Sequence, residues 1–233
     1  MAKKVLLWDF DGTLGYRQGG MWSSALLEAL FYLEPNCKVT LDDIKPLLSN
    51  GFPWHQPDVV HTHINTSELW WSNLRKNVIE KAYLSLGYEE DYAQRLALIA
   101  QEKYIDVKNW SLYDDVLPVL SSLKLQGWEH AIISNHVPEL QQIIDHLELT
   151  SLISAVINSA LEGYEKPHPQ IYQIALQRLG NPDNVWMIGD NFNADIHGAE
   201  NAGIKGILVR KEDTRAKFQS QDLHSIDAIL RRF

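Results

Sequence analysis

The stretch from Val5 to Thr13 constrains the fold of this chain more than any other. Val5-Leu6-Leu7-Trp8 is a short, uninterrupted apolar run, and Asp9, Asp11 and Gly12 follow it directly. A run of this length without alternation is typical of a strand that is buried on both faces of a parallel sheet. In open α/β sheets, ligands bind at the carboxyl ends of such strands. The sequence therefore predicts that Asp9 and Asp11 lie at a ligand-binding edge.

The two carboxylates stand two residues apart, so a continued strand would point them to the same side. Two carboxylates this close repel each other unless a cation or a shared proton lies between them. The pair is therefore typical of a metal-assisted nucleophile beside a general acid and base. Taken alone, the stretch is explained equally well by a surface turn, because Asp-Gly is a common turn dipeptide.

The length, net charge and cysteine content of the chain limit the kinds of protein that it can be. The 233 residues suffice for one large domain, or for a core domain with a smaller one. The net charge of -9 disfavours a nucleic-acid polymer as partner, because such polymers bind basic surfaces. Cys37 is the only cysteine, so no intramolecular disulfide is possible, which fits a reducing compartment.

The N-terminal apolar run is too short for a signal peptide, and Asp9 and Asp11 interrupt it. No segment approaches the length of a membrane span. We therefore expect a cytoplasmic protein with no membrane partner, present as a monomer or a homodimer.

The order of elements predicts an α/β fold with a doubly wound parallel sheet and a smaller α-helical cap domain inserted after the first strand. After Leu14 comes a Gly-rich connection, and the next hundred residues carry helical patterns. Examples are the apolar spacing in 22–33 and a helix that Ser67 would cap and that would run to about Leu86. From Asp115 onward, strands alternate with helices, among them a helix predicted for 194–202, and this alternation predicts right-handed βαβ crossovers. We place the core at residues 1–15 and 110–233 and the cap at 16–109.

Polar residues that suit phosphate chemistry follow three of the predicted strands. They are Asp9 and Asp11, then Ser134 and Asn135, then Asp190 with Asp195 five residues later. A further lysine, Lys166, lies in a loop with Pro167 and Pro169. Taken singly, each of these residues has an ordinary explanation, as a helix cap, a surface turn or a solvated lysine. Together they converge on one crevice of a doubly wound sheet, where Mg²⁺ and Lys166 would neutralise a phosphoryl group.

These four motifs, in this order, resemble those of the haloacid dehalogenase-like (HAD) superfamily. Its first motif, DxDGT, is present as residues 9–13, and its second, a Ser or Thr that ends an apolar strand, as Ser134. Its third, a lysine often followed by Pro, is present as Lys166, and its fourth, GDxxxxD, as residues 189–195. The resemblance covers residues 3–14 and 110–233.

The resemblance implies a role for each site residue. Asp9 would form an aspartyl-phosphate, and Asp11 would protonate the leaving group and then activate water. Mg²⁺ would be held by Asp9, by the backbone carbonyl of Asp11 and by Asp190. The phosphate oxygens would be held by Ser134, the Asn135 amide, Lys166 and Thr13. Asp195 would reach the metal through water or orient Lys166.

The implied activity is Mg²⁺-dependent hydrolysis of a small phosphorylated metabolite, such as a sugar phosphate, a nucleotide or a phosphoglycolate-like compound. Asp11 argues against dehalogenation, because a departing halide needs no proton. A phosphomutase that resembles the β-phosphoglucomutases remains an alternative, as does a phosphate-binding protein without turnover.

In the predicted cap, Trp54 is a candidate to stack on a base or sugar ring, whereas His61 and His63 fit two ordinary loop histidines better than a metal site. Other candidates for lining the pocket are Tyr16, Trp22 and His136.

Overall fold

The computed structural model describes residues 3–232, so residues 1, 2 and 233 of the predicted core lie outside it. The strands of the described chain are β1 Lys4–Trp8, β2 Gly15–Arg17, β3 Trp110–Leu112, β4 Glu129–Ser134, β5 Ile153–Asn158, β6 Asn184–Gly189, β7 Lys205–Val209 and β8 Gln219–Ser220. The helices are α1 Trp22–Leu33, α2 Leu41–Ile44, α3 Ser67–Leu74, α4 Glu80–Ser85, α5 Glu90–Ile105, α6 Val116–Leu125, α7 Leu140–His146, α8 Ser159–Glu162, α9 Pro169–Arg178, α10 Gly198–Asn201 and α11 Ile226–Leu230.

Six of these strands form one parallel sheet in the order β5-β4-β1-β6-β7-β8. The chain first leaves β1 toward β4 and β5, and later returns to the other side of β1 as β6 and β7. β1 therefore lies at the point where the strand order reverses, which is where open α/β sheets bind ligands. The predicted parallel sheet is confirmed, and the short edge strand β8 is an addition that the sequence patterns did not indicate.

Helices cover both faces of the sheet, and the side chains of β1 pack into an apolar cluster on each face. Leu6 and Trp8 belong to one apolar cluster, and Val5 and Leu7 belong to another. All four are fully buried. Alternate residues of a strand point to opposite faces, so both faces of β1 are packed. This double burial explains why the sequence of β1 is an unbroken apolar run.

Residues 18–109, called the helical insert below, leave the sheet and return to it through a two-stranded ribbon. β2 pairs antiparallel with β3, and the register joins Gly15 to Leu112 and Arg17 to Trp110. The buried guanidinium of Arg17 donates to both carboxylate oxygens of Glu28 and to three backbone carbonyls of the insert. The ribbon therefore ties the first helix of the insert to its point of entry.

The helices within the insert follow the sequence patterns closely. The predicted helix from Ser67 to Leu86 is present, with a π-helical turn over Arg75–Ile79 between α3 and α4. Its N-cap is Thr66 rather than Ser67, because the Thr66 hydroxyl accepts from the backbone N–H of Leu69. In the sheet region, the helix predicted for 194–202 consists of a π-helical turn over Phe192–His197 followed by α10.

Further hydrogen bonds join the insert to the sheet region. The Glu139 carboxylate, just before α7, accepts hydrogen bonds from the Ser67 hydroxyl at 2.9 Å and from the Trp71 indole at 2.9 Å. The backbone N–H of His61 donates to the carbonyl of Gly163 at 2.8 Å. These contacts hold the insert over the carboxyl edge of the sheet. Within residues 3–232, no helix combines the length and the apolar character that crossing a membrane requires.

Candidate active site

Asp9 lies at the carboxyl end of β1, with its side chain held in place by two donors. Its backbone N–H donates to the carbonyl of Ile188 in β6 at 2.9 Å, which extends the strand pairing to the site itself. Its Oδ1 accepts hydrogen bonds from the Ser134 hydroxyl at 2.9 Å and from Nζ of Lys166 at 2.7 Å. Oδ2 takes part in neither bond, so the carboxylate is fixed in orientation while one oxygen stays available.

Lys166 bridges two carboxylates. Its buried Nζ donates to Asp9 and also to Oδ1 of Asp195 at 2.6 Å, and Oδ2 of Asp195 accepts from the backbone N–H of Asn191. Burial lowers the pKa of Lys166, but the ion pairs with Asp195 and Asp9 outweigh that effect and raise the pKa above its ordinary value. Lys166 is therefore a permanent cation, and Asp195 contacts it directly.

Asn135 holds the loop that carries the lysine. Its Oδ1 accepts from the backbone N–H of Lys166 at 2.7 Å, and its Nδ2 donates to the carbonyl of the same residue at 2.9 Å. The side-chain amide is thus fully engaged, and the phosphate contact expected of Asn135 rests on its backbone N–H. The sequence analysis missed this clamp, because nothing in local spacing pairs residues 31 positions apart.

Asp11 stands apart from these ion pairs. Its side chain is 25 % exposed, but Oδ1 is buried, has no hydrogen-bond partner among residues 3–232, and lies 3.7 Å from Nε2 of His136. Burial, together with the charges of Asp9 and Asp190, raises the pKa of Asp11 well above its ordinary value. The raised pKa favours the protonated carboxyl, which is the form that a general acid needs.

Asp190 follows β6 and faces the turn after Asp11. A Cβ added to Gly12 would lie 2.5 Å from Oδ2 of Asp190, and Gly12 has a φ of +78°. Both the conformation and the close approach thus require glycine at this position. The same Oδ2 pairs with Nζ of Lys211 at 2.6 Å. Burial and the charge of Asp9 raise the pKa of Asp190.

The acidic residues suit a divalent cation. Asp9, Asp190 and Asp195 each present a carboxylate oxygen, and these oxygens lie within 4.8 Å of one another. Carboxylate oxygens are the ligands that Mg²⁺ prefers. Both oxygens of Asp195 already accept hydrogen bonds, which favours Asp9 and Asp190 as ligands. The carboxylate of Asp11 is not part of this group, so its expected role as a ligand rests on the backbone carbonyl.

Thr13 does not reach the site. The residue is fully buried, and its hydroxyl has no hydrogen-bond partner within the described chain. The backbone N–H groups of Thr13 and Leu14 both donate to the carbonyl of Phe10, a tight turn that places Thr13 in the interior. Its carbonyl accepts from Nε of Arg210 instead. The position of Thr13 therefore does not support the predicted phosphate contact of its hydroxyl.

A pocket of about 560 Å³ opens above Asp9, between the sheet edge and the insert. The sheet side is polar and includes Asp11, His136 and Lys166. The insert side is formed by Met21, Trp22, Trp54, Pro57 and Tyr104. Trp22, Trp54 and His136 thus line the pocket as expected, whereas Tyr16, His61 and His63 lie outside its lining.

Three comparisons with known proteins agree with this geometry. A sequence model of the haloacid dehalogenase-like hydrolases matches residues 3–203. Glyceraldehyde 3-phosphate phosphatase of Methanothermobacter thermautotrophicus is 33% identical over 49% of this chain and 52% of its own length. Human haloacid dehalogenase-like hydrolase domain-containing protein 3 is 31% identical over 66% of this chain and 60% of its own length. The chain thus spans between half and two thirds of these curated relatives.

Solved structures share the fold over nearly the whole chain. The HAD-hydrolase YfnB of Bacillus subtilis, solved with magnesium bound, superimposes with a TM-score of 0.72 over 99% of both chains, at 19% identity. The match of the family model over most of the chain, the parallel sheet and the order of the motifs all lead to one assignment. The chain belongs to the haloacid dehalogenase-like hydrolase family.

Proposed function

We propose that this chain is a Mg²⁺-dependent phosphomonoester hydrolase that acts through an aspartyl-phosphate at Asp9. One observation carries the proposal. Ser134 and Lys166 hold Oδ1 of Asp9 at the floor of a pocket, and the carboxyl of Asp11, whose pKa is raised, lines the same pocket. A fixed carboxylate next to a general acid is what displacement at phosphorus by a side chain requires.

In the first half of the proposed reaction, Oδ2 of Asp9 forms a bond to phosphorus as the bond from phosphorus to the leaving oxygen breaks. Asp11 gives its proton to that oxygen, so the leaving group departs as a neutral alcohol. The raised pKa of Asp11 favours the protonated form from which this proton is given. Hydrolysis of phosphate monoesters is among the slowest uncatalysed reactions, which is why both groups are needed.

In the second half, Asp11, now a carboxylate, takes a proton from a water molecule. The water oxygen bonds to phosphorus, and the bond from phosphorus to Asp9 breaks. Inorganic phosphate leaves, and both aspartates return to their starting states. Lys166 keeps its charge throughout and offsets the charge on Asp9 and on the phosphoryl oxygens.

Asp9, Asp190 and the backbone carbonyl of Asp11 would hold Mg²⁺. When bound, the ion supplies positive charge to the phosphoryl oxygens and relieves repulsion among the carboxylates. That repulsion contributes to the raised pKa values of Asp11 and Asp190.

Residues 16–109 act in this proposal as a cap domain over a core formed by 1–15 and 110–233. Because the insert supplies one wall of the pocket, it selects the leaving group. The substrate is a small phosphorylated metabolite, in keeping with the name of the 33% identical phosphatase.

The test is release of inorganic phosphate from a panel of phosphomonoesters, with and without Mg²⁺. Asp9→Asn removes the nucleophile, and Asp114→Asn is the matched control, because Asp114 is exposed and lies outside the pocket. We expect Mg²⁺-dependent release by the wild type and the control but not by Asp9→Asn. Equal release by Asp9→Asn would contradict the proposal. Conversion of one sugar phosphate into another without phosphate release would instead establish a phosphomutase.

A further inference from the structure

The insert side of the pocket is a wall of aromatic rings. Trp22 stacks on Tyr104 with ring centroids 3.7 Å apart and an interplanar angle of 12°. Trp54 stacks on Phe52 with centroids 4.8 Å apart and an angle of 15°. The rings of Trp22 and Trp54 are 6.3 Å apart, and both line the pocket with Tyr104.

These rings are held in place before any ligand binds. Phe52 and Tyr104, the stacking partners, are 3 % and 2 % exposed, and Trp22 is 8 % exposed. Trp54 is only partly buried. Binding of a ligand to a rigid aromatic surface costs little conformational entropy. The wall is therefore suited to a flat partner that can lie against a ring face.

The charges of the pocket disfavour a second anionic group on the substrate. Among the described residues that line it, Lys166 is the only lysine or arginine, and both Asp9 and Asp195 already pair with it. Lys211, in the adjoining cleft, pairs with Asp190. An extra carboxylate on the leaving group would therefore meet the site's own carboxylates without a free cation to pair with it.

The volume of the pocket also favours a ligand that contains a ring. Its volume of about 560 Å³ lies in the range of pockets that enclose ligands with ring systems. A phosphorylated three-carbon unit would leave much of the apolar wall exposed to water.

We propose that the preferred substrates are phosphomonoesters whose leaving group carries a planar aromatic ring and no net negative charge. This inference rests on the proposed function, since it concerns the leaving group of the same reaction. Nucleoside 5′-monophosphates and pyridoxal 5′-phosphate share this chemistry. The ring lies against Trp54, and the phosphoryl group lies at Asp9.

The test compares substrates whose leaving groups are all primary alcohols, so that leaving-group chemistry is matched. They are adenosine 5′-monophosphate, pyridoxal 5′-phosphate, glycerol 3-phosphate and phosphoglycolate. We expect kcat/KM for the better ring-bearing substrate to exceed that for glycerol 3-phosphate by about tenfold, since stacking on one aromatic side chain is worth about fivefold to a hundredfold. Phosphoglycolate should be the poorest of the four.

Trp54→Ala should reduce the ratio of kcat/KM between the ring-bearing and acyclic substrates by about tenfold, mainly through KM, and Trp54→Phe should restore part of it. Gln56→Ala is the matched control, because Gln56 is exposed in the same loop and outside the pocket lining. An equal loss on both substrate classes in Trp54→Ala, or no preference in the wild type, would overturn this inference and leave the phosphatase proposal standing. Phosphate release from none of the four would overturn both.

Discussion

Acid should destabilise this protein through His130, a buried histidine that the fold holds in its neutral form. The ring lies between two partners. Nδ1 accepts from the indole N–H of Trp8 at 3.0 Å, and Nε2 lies 2.9 Å from the carbonyl of Leu120. Because Trp8 can only donate, Nδ1 must be unprotonated, and Nε2–H donates to Leu120. Protonation of Nδ1 would set two N–H groups against each other.

The magnitude follows from the pKa difference between the two states. Burial lowers the pKa of His130 from 6.5 to about 4 in the folded protein. The unfolded chain binds the proton first as pH falls, so the stabilisation is complete above pH 6.5 and is lost progressively down to the folded pKa. The full difference corresponds to about 3 kcal/mol, and about 2 kcal/mol of it is lost by pH 5.

The assay is urea unfolding at pH 8 and pH 5 for the wild type and His130→Gln. Glutamine does not titrate, so the free energy of unfolding of the two proteins should converge by about 2 kcal/mol between these pH values. Comparison with the variant cancels the titration of the other buried groups. His146→Gln, which removes an exposed ring, is the control and should show no convergence. A gap for His130→Gln that stays constant with pH would refute the reasoning.

Three further changes probe the site and the insert. Asp11→Asn cannot donate a proton, so kcat should fall by about 10²–10⁴-fold on alkyl phosphates and much less on an aryl phosphate with a good leaving group; equal losses on both would argue against the acid role. Gly189→Ala would place a Cβ 2.2 Å from the Asp195 carboxyl, so urea unfolding should show a loss of about 1–3 kcal/mol, and unchanged stability would contradict this packing. Glu139→Ala removes the acceptor of the Trp71 indole, so amide hydrogen exchange in α3 should become faster, and unaltered exchange there would show that the contact does not hold the insert.

Local patterns sufficed for the sheet and for the placement of Asp9. β1 is buried on both faces, so its sequence is an uninterrupted apolar run. The charged residue that follows this run, Asp9, therefore marks the end of the strand. The same logic placed Ser134 and Asp190 at the ends of β4 and β6. Because parallel strands end at one edge, three separate strand ends predicted one site.

Most of the contacts that the sequence did not reveal join residues that lie far apart along the chain. The pairing of β2 with β3 joins residues almost a hundred positions apart, and each strand has only three residues. The two hydrogen bonds between the Asn135 side chain and the backbone of Lys166 depend on how two loops meet. The phosphate contact of Thr13 stays a prediction, and its motif gave no sign that the turn at Phe10 buries the Thr13 side chain.

The most direct test of the proposed mechanism is to look for phosphate bound covalently to Asp9. The enzyme would be mixed with the best substrate and Mg²⁺, quenched in acid during turnover, and digested for mass spectrometry. The account predicts one phosphoryl group on the peptide that contains Asp9, absent in Asp9→Asn and lost when turnover is allowed to finish. Rapid turnover with no phosphoryl group on that peptide at any quench time, or with the group on another residue, would contradict it.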